Sequence, residues 1–197
     1  MRKSFLSEVN LIHKAVFLDL QGTLGGEGLG DIRDFSFFPF SYEAIKLLNA
    51  SSLLAIIVTN QSHIGKGCFS FKEYEQRVKQ LKKTLQKRSL HVDGWYCCPH
   101  TKQDACSCKK PLPGLLFQAK RDLEIRLEES YVVGDMGVTD MLLADAVDAK
   151  GVLVRTGVGG KSLTEFRYTW KHVTPVYIAK NVLDAVQWIL EEEKYGG

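Results

Sequence analysis

The chain reads as an α/β fold, a doubly wound parallel sheet with helices on both faces. Three observations carry this. Short apolar runs alternate with helical periods along 197 residues. The run Leu53–Val58 (L-L-A-I-I-V) is apolar at every position, as a strand buried on both faces must be. Polar, chemistry-bearing residues directly follow three of the runs, where open α/β sheets place their sites.

Taken in order, strands are expected at Ala15–Leu18, Leu53–Val58, Gly94–Cys97, Tyr131–Val133, Gly151–Val154 and Val176–Ala179. Gly25–Phe38 is Gly-rich without a period and reads as a loop near the carboxyl end of the first strand. Phe71, Tyr74, Val78, Leu81 and Leu85 recur at helical spacing behind a Ser70/Glu73 capping box. Val182, Ala185, Val186, Ile189 and Leu190 repeat that spacing behind Asn181, a candidate N-cap. No linker divides the chain, so a single domain over 1–197 is expected. Neither the stretch between Leu24 and Pro39 nor that between Gly67 and Gly94 is long enough for a separate cap domain.

Composition bounds the partners. The chain is 45% hydrophobic and 25% charged with a net charge of +3, too little to imply nucleic acid or an anionic membrane. No apolar stretch approaches about 20 residues. Met1–His13 has no apolar region of the kind a signal peptide needs. A cytoplasmic monomer is therefore expected. Of five cysteines, four fall within Cys97–Cys108, which argues for metal before disulfides. A nucleic-acid module would need a basic aromatic surface there, whereas the loop carries Asp104 and only Lys102 before Lys109-Lys110.

Four segments hold the chemistry: Asp19-Leu-Gln21-Gly-Thr-Leu, Thr59-Asn60-Gln61-Ser62, Lys109-Lys110-Pro111 and Gly134-Asp135-Met-Gly-Val-Thr-Asp140. Each alone reads as a turn, a cap or a solvated face. Together they offer an acid able to attack phosphorus, a hydroxyl and amides for phosphate oxygens, cations, and further acids to hold Mg²⁺. Phosphoryl transfer is mostly positioning and charge neutralisation. The second constellation is Cys98-Pro-His100 with Cys106-Ser-Cys108, spaced C-x-H-x₅-C-x-C. Cys₃His is a common structural Zn²⁺ set, and four filled positions leave none open for catalysis. This zinc loop spans about 97–109. Cys97 reads as a strand residue facing the core and Cys68 as a free thiol.

That ordered set resembles the haloacid dehalogenase-like phosphatases. Within them T-N-Q-S-H-I-G-K-G-C-F, V-D-G-W-Y-C-C-P-H, C-S-C-K-K-P-L-P-G, Y-V-V-G-D and V-L-V-R-T-G are similar to the D-glycero-D-manno-heptose 1,7-bisphosphate phosphatases and the histidinol-phosphate phosphatases. The resemblance runs from about residue 14 to 157. It implies that Asp19 attacks phosphorus and forms an aspartyl-phosphate. It implies that Asp19, the Gln21 backbone carbonyl and Asp135 hold Mg²⁺. Thr59 and Asn60 would hold phosphoryl oxygens, with Gln61 and Ser62 in the same substrate loop. Lys110 would neutralise developing charge, Lys109 would contact substrate, and Asp140 would orient Lys110 or the metal's waters. The implied partner is a small phosphorylated metabolite, a sugar phosphate first. His63 stands where relatives more usually have Gly, and would narrow the pocket. Lys66 reads equally as a phosphate contact or a solvated charge.

Gln21 departs from the pattern, because the family's acid/base residue is a carboxylate. An amide cannot transfer a proton reversibly near neutrality, and positioned acid–base catalysis contributes roughly 10²–10⁴-fold. Three readings stand open: slow or substrate-restricted hydrolysis on a good leaving group; proton transfer by another residue, such as Glu27 or Asp31; or binding without turnover. The first is favoured here. The alternative is a catalytically impaired phosphate-binding or regulatory protein.

Overall fold

The computed structural model describes residues 12–195. Its six strands are β1 (Ala15–Leu18), β2 (Leu54–Asn60), β3 (Gly94–Cys98), β4 (Tyr131–Gly134), β5 (Lys150–Val154) and β6 (Tyr177–Ala179). They form one sheet in the order β3-β2-β1-β4-β5-β6, and every neighbouring pair is parallel. Each expected strand is present, with ends moved by one or two residues. The extension of β2 through Thr59 and Asn60 matters for function, since it puts both side chains on the rigid end of a central strand.

Helices cover both faces. Val16 and Leu18 of β1, Ala55 and Ile57 of β2, and Tyr131 and Val133 of β4 enter one apolar cluster. That cluster is closed by α1 (Pro39–Asn49), α3 (Phe71–Gln86) and α7 (Val182–Tyr195). The alternate residues Ala15, Phe17, Ile56, Val58 and Val132 enter a second cluster, capped by Leu115, Leu116 and Ala119 of α4 (Gly114–Leu123). This two-sided burial is why the strands read as unbroken apolar runs. At about 1.5–3 kcal/mol for each fully buried large side chain, it holds the strand ends rigidly.

Three shorter helices lie around the carboxyl ends: α2 (Ser62–Gly65), α5 (Leu142–Asp145) and α6 (Gly159–Leu163). A π-helical turn at Gly137–Met141 leads into α5. The Ser70/Glu73 capping box forms, with Ser70 N to Glu73 Oε2 at 2.7 Å and Glu73 N to Ser70 Oγ at 3.2 Å. Asn181 Oδ1 accepts from the N–H groups of Leu183 and Asp184 at 3.0 and 3.1 Å. The loop Gly25–Phe38 is not wholly irregular. It carries a one-turn 3₁₀ segment at Ile32–Asp34, and Arg77 of α3 donates from Nε to Ile32 O at 3.1 Å. Among the described residues no helix is long and apolar enough to cross a membrane.

Candidate active site

The strand order runs outward from β1 in both directions, so the sheet has its topological switch between β1 and β4. Asp19 follows β1, and Asp135 follows β4. Asp140 reaches the same place because the π-helical turn folds it back, where its Oδ2 accepts from Met136 N at 3.0 Å. Carboxylate oxygens of Asp19, Asp135 and Asp140 all lie within 4.8 Å of one another. Lys110 Nζ enters this group, donating to Asp19 Oδ1 at 2.6 Å and to Asp140 Oδ1 at 2.7 Å.

Three acids and one lysine leave two negative charges unbalanced. Burial pushes the Asp19 carboxyl up to about 6, against the opposing pull of Lys110. Burial, with the charges of Asp19 and Asp140, pushes Asp135 further, to about 8. Lys110 shows the converse. Burial disfavours its charge, but Asp140 and Asp19 outweigh it and raise its pKa. A buried cluster of this kind fits a divalent cation of the hard, oxygen-seeking class.

The backbone is shaped around Asp135. Gly22 has φ +81°, and a Cβ there would stand 2.1 Å from Asp135 Oδ2. Gly157, at φ +58°, would meet the same oxygen at 2.0 Å. Both positions therefore require glycine for conformation and for space. Sequence reading missed Gly157; the T-G ending of V-L-V-R-T-G was its signal, but only the fold shows what the glycine approaches.

Beside the acids lies a network of amides. Gln21 Oε1 accepts from Thr59 Oγ1 at 3.2 Å and from Gln61 Nε2 at 3.0 Å. Gln61 Nε2 also donates to Thr59 Oγ1 at 2.9 Å, and Gln21 Nε2 donates to Gly30 O at 3.5 Å. Gln21 is thus an oriented, buried side chain with both ends engaged. Asn60 points its amide at Lys110, accepting from Lys110 N at 3.0 Å and donating to Lys110 O at 3.1 Å. Its side chain sets the lysine's backbone rather than reaching for a ligand. Ser62 Oγ is bonded by Lys109 Nζ, which also donates to His100 O at 3.1 Å.

The cysteine loop converges as its spacing implies. Cys98 Sγ lies 3.6 Å from His100 Nδ1 and 3.7 Å from Cys106 Sγ, and His100 Nδ1 lies 3.3 Å from Cys108 Sγ. A tetrahedron with metal–sulfur bonds of about 2.3 Å has edges near 3.8 Å, so the donor set can hold one zinc-sized ion. Cys98 closes β3 and is fully buried. Cys97, half-buried, packs at the margin of the first apolar cluster, and Cys68 is exposed. Burial pushes the Cys106 thiol up, but donation from the N–H groups of Cys108 and Lys109 outweighs it and brings the group down to about 7. The loop is tied to the substrate side through Gln61 N to Cys98 O at 2.7 Å and Gly65 N to Pro99 O at 2.9 Å.

An open cleft of about 540 Å³ is lined by Asp19, Gln21, His63, Lys66, Lys109 and Lys110 among others. Glu27 and Asp31 are not in its wall. Asp31 instead accepts from Arg33 Nη2 at 2.7 Å. A slightly larger groove of 630 Å³ between α3 and β3 has no comparable charge cluster.

A HAD-hydrolase-like family model matches residues 107–185. The D-glycero-β-D-manno-heptose-1,7-bisphosphate 7-phosphatase of Pasteurella multocida is 39% identical over 161 residues, covering 77% of this chain and 85% of that protein. The protein of the same name from Helicobacter pylori J99 is 29% identical over 180 residues, covering 90% and 97%. Among solved structures, the D,D-heptose 1,7-bisphosphate phosphatase of B. bronchiseptica, complexed with magnesium and phosphate, shares the fold with a TM-score of 0.81 at 24% identity, over 91% of this chain and 99% of that one. Identity of 39% sustained over 85% of a relative's length places the chain in a family: it belongs to the haloacid dehalogenase-like phosphatases and is similar to those named D-glycero-β-D-manno-heptose-1,7-bisphosphate 7-phosphatase.

Proposed function

We propose that the protein is a Mg²⁺-dependent phosphatase of a phosphorylated sugar, with Asp19 as nucleophile and a structural zinc loop. The observation that carries this is the buried surplus of negative charge at the sheet's switch point, where three carboxylates face one lysine. Asp19, Asp135 and the Gln21 main-chain carbonyl would hold Mg²⁺, which supplies neutralisation of the phosphoryl oxygens when bound. Asp19 forms a bond to phosphorus as the ester P–O bond breaks, giving an aspartyl-phosphate that water then cleaves to phosphate. Lys110 stabilises the charge on the transferring group. The Thr59 hydroxyl, which donates to Gln21 Oε1 at 3.2 Å, would turn to a phosphoryl oxygen when one is bound. The substrate in the relatives' name, a heptose bisphosphate, is the nearest chemistry for the ligand. Gln21 alone favours a second reading, phosphate binding without turnover.

Phosphate release from a panel of phosphorylated sugars tests the proposal: release is expected with Mg²⁺ and none with a chelator. Absence of release from every substrate in the presence of Mg²⁺ would favour the binding reading. The pH dependence follows from Asp135. Its carboxyl is raised to about 8, so a proton competes with the cation below that pH. Apparent Mg²⁺ affinity is expected to rise by up to about tenfold per pH unit between 6 and 8 and then level off. Titration calorimetry in buffers of different ionisation enthalpy reads the released proton; a flat affinity contradicts the assignment.

For the cysteine loop, purified protein is expected to carry about one zinc per chain. Stripping it with a strong chelator should cut activity by more than about tenfold, because Lys109 and Lys110 sit at the loop's end. Zinc below half an equivalent, in protein prepared without chelator, would count against a structural site.

A further inference from the structure

We propose that His63, steered by Asp31, moves the proton that Gln21 cannot; this rests on the phosphatase reading above. Among the described residues, the titratable side chains lining the cleft can be taken in turn. Asp19 is the attacking group, and Asp140 is locked to Lys110. Lys66, Lys102, Lys109 and Lys110 are ammonium groups, point charges suited to holding phosphate oxygens rather than to shuttling a proton. His63 is left, and an imidazole is the one side chain suited to reversible transfer at neutral pH.

Its surroundings are built for the task. His63 Nδ1 stands 4.0 Å from Asp31 Oδ2. Asp31 is fixed by Arg33, through Nε at 3.1 Å, Nη2 at 2.7 Å and the backbone N–H at 2.8 Å. Those bonds from Arg33 hold the Asp31 carboxyl below its ordinary range, so it is a permanent anion beside the ring rather than an acid itself. An anion 4.0 Å from Nδ1 favours the protonated ring, and a closer approach of the pair would hold the proton at Nδ1 and leave Nε2 to exchange. Phe69 meets the imidazole edge-on at 6.4 Å between centroids. The remaining charges around the ring are Lys66, which directly follows the same short helix, and Lys109, bonded to the adjacent Ser62. The His63 side chain is 34% exposed and that of Asp19 is 12%, so of these two groups lining one cleft the histidine is the more solvent-facing.

The steps balance. As Asp19 bonds to phosphorus and the ester P–O bond breaks, Nε2 gives its proton to the departing sugar oxygen. The neutral ring then takes a proton from water as the water oxygen attacks phosphorus and the Asp19–phosphorus bond breaks. Products are the alcohol and phosphate, with Asp19 and the imidazolium restored.

The test uses the zinc-loaded protein at saturating Mg²⁺ with its best sugar phosphate. His63→Gln is expected to lower kcat about 10²-fold and to remove the alkaline fall of kcat/KM. Free imidazole is expected to restore part of the rate to His63→Ala. Asp31→Asn can still accept from Arg33 N at the start of the 3₁₀ segment and, by removing the anion beside the ring, should move that alkaline limb to lower pH. His63→Gln within threefold of wild type, with an unchanged profile while Asp19→Asn is inactive, overturns the proposal and leaves the phosphatase reading standing. An active Asp19→Asn removes that reading instead. Should His63→Gln fail to fold, an unmoved limb in Asp31→Asn overturns the proposal equally.

Discussion

Asp19→Asn is expected to reduce phosphate release by a factor on the order of 10⁵ while leaving the fold intact. The amide has the size of the carboxylate but no lone pair nucleophilic enough to attack phosphorus, and removal of an attacking group costs about this much in enzymes that form covalent intermediates. The fold should not suffer. Asp19 is one of three buried acids; burial first, and then the charges of Asp19 and Asp140, raise the Asp135 carboxyl to about 8. Neutralising Asp19 relieves its share of that repulsion, and the Asn oxygen can still accept from Lys110 where Asp19 Oδ1 does at 2.6 Å. Thermal midpoint without Mg²⁺ is expected to hold or rise, and the rise on adding Mg²⁺ to shrink. A residual rate within tenfold of wild type would show that phosphorus is attacked by something else, water included.

Much of this site was legible in the sequence because each group follows a strand whose apolar run is unmistakable. Asp19 behind A-V-F-L, Thr59 behind L-L-A-I-I-V and Asp135 behind Y-V-V need only a parallel sheet to converge. The cysteine loop was legible because its ligand spacing is local. What the sequence hid depends on tertiary approach. Helix α1 begins at Pro39 with no side-chain cap and inside the aromatic run F-S-F-F-P-F, so a proline at its first position is its one local start signal, and the sequence reading did not use it. The π-helical turn that returns Asp140 to the acids has no local signature. Asn60 reads as a phosphate ligand until its amide is seen bonded to Lys110, 50 residues away. The Asp31–His63 pair joins the Gly25–Phe38 loop to helix α2, and no periodicity marks it. Gln21 was visible as a departure, but its two donors, Thr59 and Gln61, were not assignable to it.

Lys110→Met is the second large effect, and it separates two roles of one side chain. Lys110 is 4% exposed and sits between Asp19 and Asp140 at 2.6 and 2.7 Å. Breaking a buried ion pair by removing one partner typically costs about 3–5 kcal/mol, because the other charge is left unpaired. Here two acids lose their partner at once, with Asp135 close by. For a chain of this size that cost corresponds to a fall in Tm of roughly 6–20 °C. The rate should fall by about 10³ or more, as for other cations that neutralise a transferring phosphoryl group. The two losses answer to different remedies. Adding Asp140→Asn removes one stranded charge and should recover stability, so the double variant is expected to be more stable than Lys110→Met alone, with a coupling of at least about 1 kcal/mol. It should recover no activity, since nothing cationic returns to the phosphoryl position. Mg²⁺, the remaining source of positive charge, should raise the Tm of Lys110→Met more than that of wild type. Unfolding scans of the four proteins, with and without Mg²⁺, decide the matter. If Lys110→Met melts with wild type and the double variant gains nothing, Lys110 is not the counter-charge that holds these acids together.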